Sequence, residues 1–374
     1  MTTTIPTAHG GRLAVVISLS GEGGVERMVL NLVERFAQLQ LPVDLVTIRA
    51  DSEHLSDLPG NIRHVDLGVR HATWAAPALS RYLKRERPVA MLVAKDRAIR
   101  SAALARRLAG VPTRLVGRLG TNLSAALDGK SAVQRYARYL PMRWLYPWVD
   151  LIVAVSDGVA EDTRRITGLG AERLQVIRNP VITARLHELA RRPAPHPWFD
   201  EPVPVIMGAG RLTRQKDFHT LLRAFAEVRA GRPCRLLILG EGGHRQSLEA
   251  LARELGVAQD VALPGFDGNP YAYMARARLF VLSSAWEGSP NVLTEALACG
   301  TPVVATDCPS GPREILDGGR FGPLVPVGDV RAMAAAIAKT LEQPLPPEEL
   351  RAAVAEYTVE RSAERYLAAL GLTC

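Results

Sequence analysis

Three stretches in the second half of the chain carry residue types suited to holding a diphosphate and a sugar. The first runs Gly208-Ala209-Gly210-Arg211-Leu212-Thr213-Arg214-Gln215-Lys216-Asp217. Its glycines let the backbone approach a ligand closely. Arg211 and Lys216 add one planar fork and one point charge, a pair fitted to a diphosphate. Taken alone, the stretch reads equally as two solvated basic residues in a loop. The second is Gly240-Glu241-Gly242-Gly243, a tight turn able to pass a base or a ribose. No Gly-Lys-Ser/Thr follows it, so it is not a P-loop.

The third stretch, Glu287-Gly288-Ser289-Pro290-Asn291-Val292-Leu293-Thr294-Glu295, says the most. Ser289 is expected as a helix N-cap and Pro290 as the first helical residue. The first-turn amides of Asn291 and Val292 then aim at an anion, helped by the helix dipole. Glu287 and Glu295 flank this helix start, and a carboxylate accepts two hydroxyls of a sugar or ribose. A solvent-facing Glu295 fits poorly with its apolar neighbours Val292, Leu293, Ala296, Leu297 and Ala298, and a buried carboxylate needs a partner. The loop Asp307–Glu314 either closes over a nucleotide or simply joins a strand to a helix.

In the first half the candidate is Gly21-Glu22-Gly23-Gly24-Val25-Glu26-Arg27. Its spacing is G-x-G-G rather than G-x-G-x-x-G, and no acidic residue closes the second strand. A nicotinamide site is therefore a poor reading, and a glycine turn facing a diphosphate held by the other half is a better one. There is no Asp-x-Asp pair, no H-E-x-x-H and no G-x-S-x-G, so neither a metal-chelated nucleotide nor a serine nucleophile is expected. The stretch Gln134–Trp148 interleaves basic and aromatic residues, which suits either contact with anionic lipid or a helix packing its rings into a core.

These pieces need a scaffold. The chain has 374 residues, 47% hydrophobic and 22% charged, which excludes a disordered, collagen-like or coiled-coil protein and points to two domains. Strand and helix patterns alternate, from Arg12–Ser18 and Val25–Leu39 onward. A Pro-rich stretch, Arg191–Pro197, separates them from a fresh alternation that starts at Val203. The motifs fall just after strands, where open parallel sheets bind ligands. Four scattered cysteines suit a reducing compartment, and no apolar run approaches the roughly 18 residues that span a bilayer. The apolar N-terminal run reads as a first strand and not a signal peptide, so a cytoplasmic setting is expected. The net charge of +8 is uneven: residues 81–143 hold 15 basic against 3 acidic residues. That favours an anionic partner, namely a membrane surface or a phosphorylated acceptor; no nucleic-acid recognition motif accompanies it.

With two Rossmann-like halves, the run Gly210-Arg211-Leu212-x-x-Gln215-Lys216-Asp217-Phe218, the G-E-G turn and the Glu-x7-Glu element, the chain resembles the GT-B fold of retaining glycosyltransferase family 4. The likeness spans essentially the whole chain and is most specific over 208–328. It implies an α/β protein of two doubly wound Rossmann-like domains facing across a cleft. An acceptor-side domain would occupy residues 1–190 and a nucleotide-sugar domain 191–361, with the final helix, 362–374, packing back on the first.

The likeness further implies metal-independent transfer of a hexose, without a cofactor, from a nucleotide-diphosphate sugar to a glycan or lipid-linked acceptor in cell-surface polysaccharide or lipopolysaccharide synthesis. By analogy the donor is a UDP-sugar. Arg211, Lys216 and Glu287 would be catalytic, the first two on the diphosphate and Glu287 on the transferred sugar. Gly23, Gly24, Gly210, Glu241, Gly242, Ser289, Pro290, Asn291, Val292 and Glu295 would bind the donor. Attack from the leaving-group face would pass the acceptor proton to the departing phosphate. Many relatives carry a His, often as Glu-His-Asn, where this chain has Arg118-Leu119-Gly120-Thr121-Asn122. Thr121 cannot replace its charge, which leaves Lys95, Arg118 and Asn122 beside it as acceptor-side candidates. Two alternatives remain at this stage, a nucleotide-sugar epimerase and a sugar-nucleotide-binding partner subunit without turnover.

Overall fold

The computed structural model describes residues 11–19, 24–50 and 58–372. Two parallel sheets organise them. The first contains β1 (Leu13–Leu19), β2 (Val43–Ala50), β3 (Ile62–Asp66), β4 (Ala90–Ala94), β5 (Arg114–Leu119), β6 (Leu151–Ala154) and β7 (Leu174–Val176), in the order β3-β2-β1-β4-β5-β6-β7. The second contains β8 (Val205–Ala209), β9 (Arg235–Leu239), β10 (Val261–Gly265), β11 (Leu279–Leu282), β12 (Val303–Thr306) and β13 (Leu324–Val325), in the order β10-β9-β8-β11-β12-β13.

The central strands are apolar on both faces because helices cover both faces. In β1, Leu13, Val15 and Ile17 enter one buried cluster while Ala14 and Val16 enter the other. In β8, Val205 and Met207 face one cluster and Ile206 the opposite one. The strands that sequence patterning missed, β3 and β13, are edge strands. Short edges have little apolar signal to read: β3 is Ile-Arg-His-Val-Asp and β13 only two residues long. In each sheet the strand order reverses direction beside the first strand, between β1 and β4 and between β8 and β11, which opens a crevice at their carboxyl ends.

The chain divides into one unit of residues 1–181 and 358–374 and another of residues 182–357. The sequence reading had placed these boundaries at 190/191 and 361/362. The earlier first crossing follows from helix Ala184–Ala190, which is fastened to the second unit. Asn269 Nδ2 donates to Leu189 O at 3.1 Å and Arg276 Nη1 to Ala190 O at 3.3 Å. The Pro-rich stretch is held there too, with Arg276 Nη2 donating to Arg191 O at 3.4 Å and the Arg235 guanidinium lying over Trp198. The final helix, Val359–Ala369, docks in the first unit, where Tyr366 and Leu367 join the core cluster of Phe36 and Met28. There Ser362 Oγ donates to Arg178 O at 2.8 Å and Arg114 Nε to Ala369 O at 2.8 Å.

Edge strand β3 is tied in by a buried carboxylate. Asp44, on β2, accepts from Arg12 Nε at 2.5 Å, Arg63 Nη2 at 2.5 Å and Tyr82 Oη at 2.7 Å. Burial pushes its pKa up, yet these three donors outweigh burial and hold it below the usual value of 3.8. A group lowered in the folded state contributes stability above its unfolded pKa and loses it as pH falls through the folded value. Asp44→Asn is expected to destabilise the protein by about 2 kcal/mol at neutral pH. In parallel denaturant titrations the gap to wild type should close as pH drops below 3.8. A gap that is independent of pH would show that the charge of Asp44 is not what matters.

Candidate active site

In the second unit the β8–β11 crevice brings two of the sequence candidates into contact. Lys216 Nζ lies 2.6 Å from Glu287 Oε1, and Ser284 Oγ donates to the same oxygen at 2.7 Å. Both charged side chains are largely buried, which is tolerable because each satisfies the other. Their loops are stitched together by backbone: Ala285 N donates to Gln215 O at 2.8 Å and Gln215 Nε2 to Trp286 O at 3.0 Å. Ser283 Oγ fixes the Lys216 carbonyl at 2.7 Å. Glu287 Oε2 takes no bond among the described residues. Cys308, nearby, is pushed up to about 12 by burial first and by Glu287 second, so it stays a thiol.

Glycines set the loop spacing. Gly210 stands against the stem of Lys216: a Cβ there would lie 2.9 Å from Lys216 Cε. Gly240 has φ +134°, and a Cβ on it would fall 2.0 Å from Gly210 O. The next turn interlocks with the first through Leu212 N, which donates to Glu241 O at 2.8 Å. Gly242 sits in that same turn, against Leu212 O. Glu241 is exposed and its carboxylate pairs with Arg245, Nη2 to Oε1 at 2.5 Å, a bond that lowers its pKa. Its side chain therefore serves the start of helix Arg245–Glu254, while its backbone serves the loop. Arg211 is exposed and its guanidinium has no partner among the described residues.

The helix Asn291–Cys299 starts one residue later than the sequence suggested. Pro290, not Ser289, is the N-cap, with φ −71° and ψ 102°. Its carbonyl accepts from Leu293 N at 3.1 Å, so Pro290 already provides the first helical acceptor and cannot be the first helical residue. The amides of Asn291 and Val292 remain in the first turn, without acceptors in their own helix. Glu295 is buried, as its apolar neighbours required, and Tyr271 Oη reaches its Oε1 at 3.4 Å. Ser284 and Tyr271 carried no sequence signal, since a lone hydroxyl after a strand marks no motif.

In the first unit Gly24 opens helix Gly24–Gln38, while Gly23 lies outside the described residues. Lys95 follows β4 at the β1–β4 crevice with φ +76°, an uncommon conformation for a side-chain-bearing residue. Its Nζ donates to Glu26 Oε1 at 2.5 Å and to Ser18 O at 2.8 Å. Arg118 is fully buried on β5; its Nη2 donates to Asn179 Oδ1 at 2.7 Å, while Nε and Nη1 have no hydrogen-bond partner among the described residues. Burial lowers its pKa, opposed by Tyr366 and Glu26 beside it, and it remains a cation. Thr121 is exposed. Asn122 caps helix Leu123–Ala126 by accepting from Ala125 N at 3.0 Å, a structural task. Glu26 was missed as a partner because its motif was read only for its glycines.

Two doubly wound parallel sheets, each with polar side chains gathered at its switch point, define a GT-B-type α/β protein. The match to "Glycosyltransferase Family 4" covers residues 22–185 and that to "Glycosyl transferases group 1" covers residues 195–361. The chain belongs to the group 1 glycosyltransferases of the family 4 type.

Among curated relatives, it is 34% identical over 241 residues to the Campylobacter jejuni N-acetylgalactosamine-N,N'-diacetylbacillosaminyl-diphospho-undecaprenol 4-alpha-N-acetylgalactosaminyltransferase, covering 64% of each chain. It is 36% identical to the Rhizobium meliloti lipopolysaccharide core biosynthesis glycosyltransferase LpsE, over 55% of this chain and 57% of that one. The chain thus spans less than two thirds of the length of either. Among solved structures, the lipopolysaccharide outer core galactosyltransferase WaaB superposes with TM-score 0.72 at 21% identity, over 96% of this chain and 99% of that one. Anabaena HepE with UDP and glucose superposes with TM-score 0.76 at 17% identity, over the same shares.

Because a methyl group at Gly240 would collide with the Gly210 carbonyl, Gly240→Ala should force the two loops apart. The expected loss is about 3 kcal/mol, read from chemical denaturation. Unchanged stability would mean that the loops are not in this contact.

Proposed function

We propose that this chain is a retaining glycosyltransferase. It moves a hexose from a nucleotide-diphosphate sugar, a UDP-sugar by analogy with the HepE complex, to a glycan or lipid-linked acceptor in lipopolysaccharide or other cell-surface polysaccharide synthesis. The observation that carries this reading is the Lys216–Glu287 pair at the β8–β11 switch point, with the exposed, unpaired Arg211 on the same loop as Lys216. The names of the Campylobacter and Rhizobium relatives support the polysaccharide setting. The epimerase and partner-subunit alternatives gain no support.

In the proposed reaction an acceptor hydroxyl oxygen bonds to the anomeric carbon on the face from which the diphosphate departs. The carbon–oxygen bond to that diphosphate breaks, and the hydroxyl proton passes to the leaving phosphate. Lys216, Arg211 and the Asn291 and Val292 amides stabilise the charge that develops there, and Glu287 Oε2 accepts a hydroxyl of the transferred sugar. Ser284 and Lys216 hold Glu287 in its orientation. Glu295 binds the ribose. Lys95 and Arg118 supply the fixed positive charge of the acceptor side. No metal or cofactor takes part.

Helix Ala132–Leu145 is the proposed contact with the inner face of an anionic membrane. Val133, Tyr136 and Trp144 stand 77%, 55% and 69% exposed, whereas Met142 and Tyr146 are in the core. The exposed Tyr136 and Trp144 support the lipid contact, while Tyr146 is buried in the core. No described helix is long and apolar enough to cross a membrane.

Arg211→Ala should lower transfer from the preferred UDP-sugar about 100-fold, as for loss of one charge-stabilising donor. Its melting temperature should stay that of wild type, because the side chain is exposed and unpaired. Lys216→Met should be at least as damaging in the same assay. Near-wild-type rates in both would end this mechanism. Sedimentation with anionic vesicles should fall as salt rises and weaken in a Tyr136→Ala/Trp144→Ala variant; absence of binding at low salt would dispose of the membrane contact.

A further inference from the structure

The first unit has a cavity of about 560 Å³ that the transfer reaction does not use. It lies at the amino ends of the strands, opposite the end that holds Lys95 and Arg118. Arg114 is the first residue of β5 and Asp150 immediately precedes β6. The remaining wall comes from the carboxyl end of helix Asp96–Ala109, with Arg106 and Arg107, and from Trp148.

Three arginines and one carboxylate line this cavity, and their bonds show which charges are already used. Arg106 is consumed: it pairs with Asp150 and donates to the carbonyls of Trp148 and, at 3.2 Å, Thr113. Asp150 also accepts from Leu115 N at 2.7 Å, so it is neutralised and fixed. Arg107 has no hydrogen-bond partner among the described residues. Its guanidinium carbon lies 4.8 Å from the centre of the Trp148 ring, which holds the fork flat. Arg114 spends Nε on Ala369 O at 2.8 Å and lays its stem near Gly371. Neither of its terminal nitrogens has a partner among the described residues. Two exposed guanidinium forks therefore stand without a carboxylate partner among the described residues on one concave surface.

The helix end explains why arginines collect here, because its carbonyls favour cations. That end is equivalent to only about half a negative charge, against two unpaired guanidinium groups. Planar forks facing one cavity match the geometry of phosphate oxygens. We propose that this cavity is a second anion site that binds a phosphate monoester or diester, separate from the donor site. The phosphate belongs either to a small soluble molecule or to a lipid headgroup. Trp148 ends the short turn Tyr146–Trp148 that follows helix Ala132–Leu145, so a headgroup would sit near the end of the proposed membrane contact.

The test is a titration of the full chain at low salt with inorganic phosphate and, separately, with phosphatidic acid in phosphatidylcholine vesicles. Wild type should bind at least one probe saturably, and Arg107→Gln should bind it about tenfold more weakly. Arg107→Lys, which keeps the charge and loses the fork, should fall between. Sugar transfer to a soluble acceptor should be unchanged in both variants, so loss of this site is distinguishable from failure of the transferase reading. Saturation by inorganic phosphate identifies a soluble ligand; binding only to phosphatidate vesicles identifies a lipid. Equal binding by wild type and Arg107→Gln, or no saturable binding of either probe, overturns the proposal.

Discussion

A carboxylate withdrawn from water must find a cation or several donors, and the second unit is arranged around one that does. Glu287 is held by Lys216 and Ser284, which come from loops after different strands. The pair is possible only because β8 and β11 are neighbours whose helices leave in opposite directions, so both loops open into the same crevice. The crossing backbone bonds between Gln215, Ala285 and Trp286 then fix the spacing. Removing water from such a pair strengthens its field on anything bound beside it.

The same logic recurs in the first unit with different residues. Lys95 and Glu26 pair at the β1–β4 switch point, and Arg118 is buried next to them. At this end of the sheet the buried charge is the Arg118 guanidinium, which does not titrate near neutrality. Positive charge at this end of the sheet is thus insensitive to pH over the range in which a His would switch. Asn122 and Thr121, four and three residues beyond Arg118, do unrelated work: one caps a helix and the other faces solvent.

The arginine excess of residues 81–143 also resolves into distinct uses. Arg100 and Arg138 pair with Asp96, Arg106 with Asp150, and Arg118 is internal. Arg107 and the terminal nitrogens of Arg114 have no partner among the described residues and line the amino-end cavity. A raw charge count therefore overstates the field available to a partner.

The sequence alone determined the architecture and the principal motifs. Apolar runs of strand length separated by amphipathic helices admit little besides parallel sheets, and glycines at strand ends announce loops that must approach closely. The apolar neighbours of Glu295 already required its burial. Tertiary structure decided the pairings, because Lys216 and Glu287 lie 71 residues apart and Lys95 and Glu26 lie 69 apart. It also decided the helix start at Pro290 and the unit boundary at 181/182. Both depend on which carbonyl or which neighbouring helix a residue meets in space, and no local pattern encodes that.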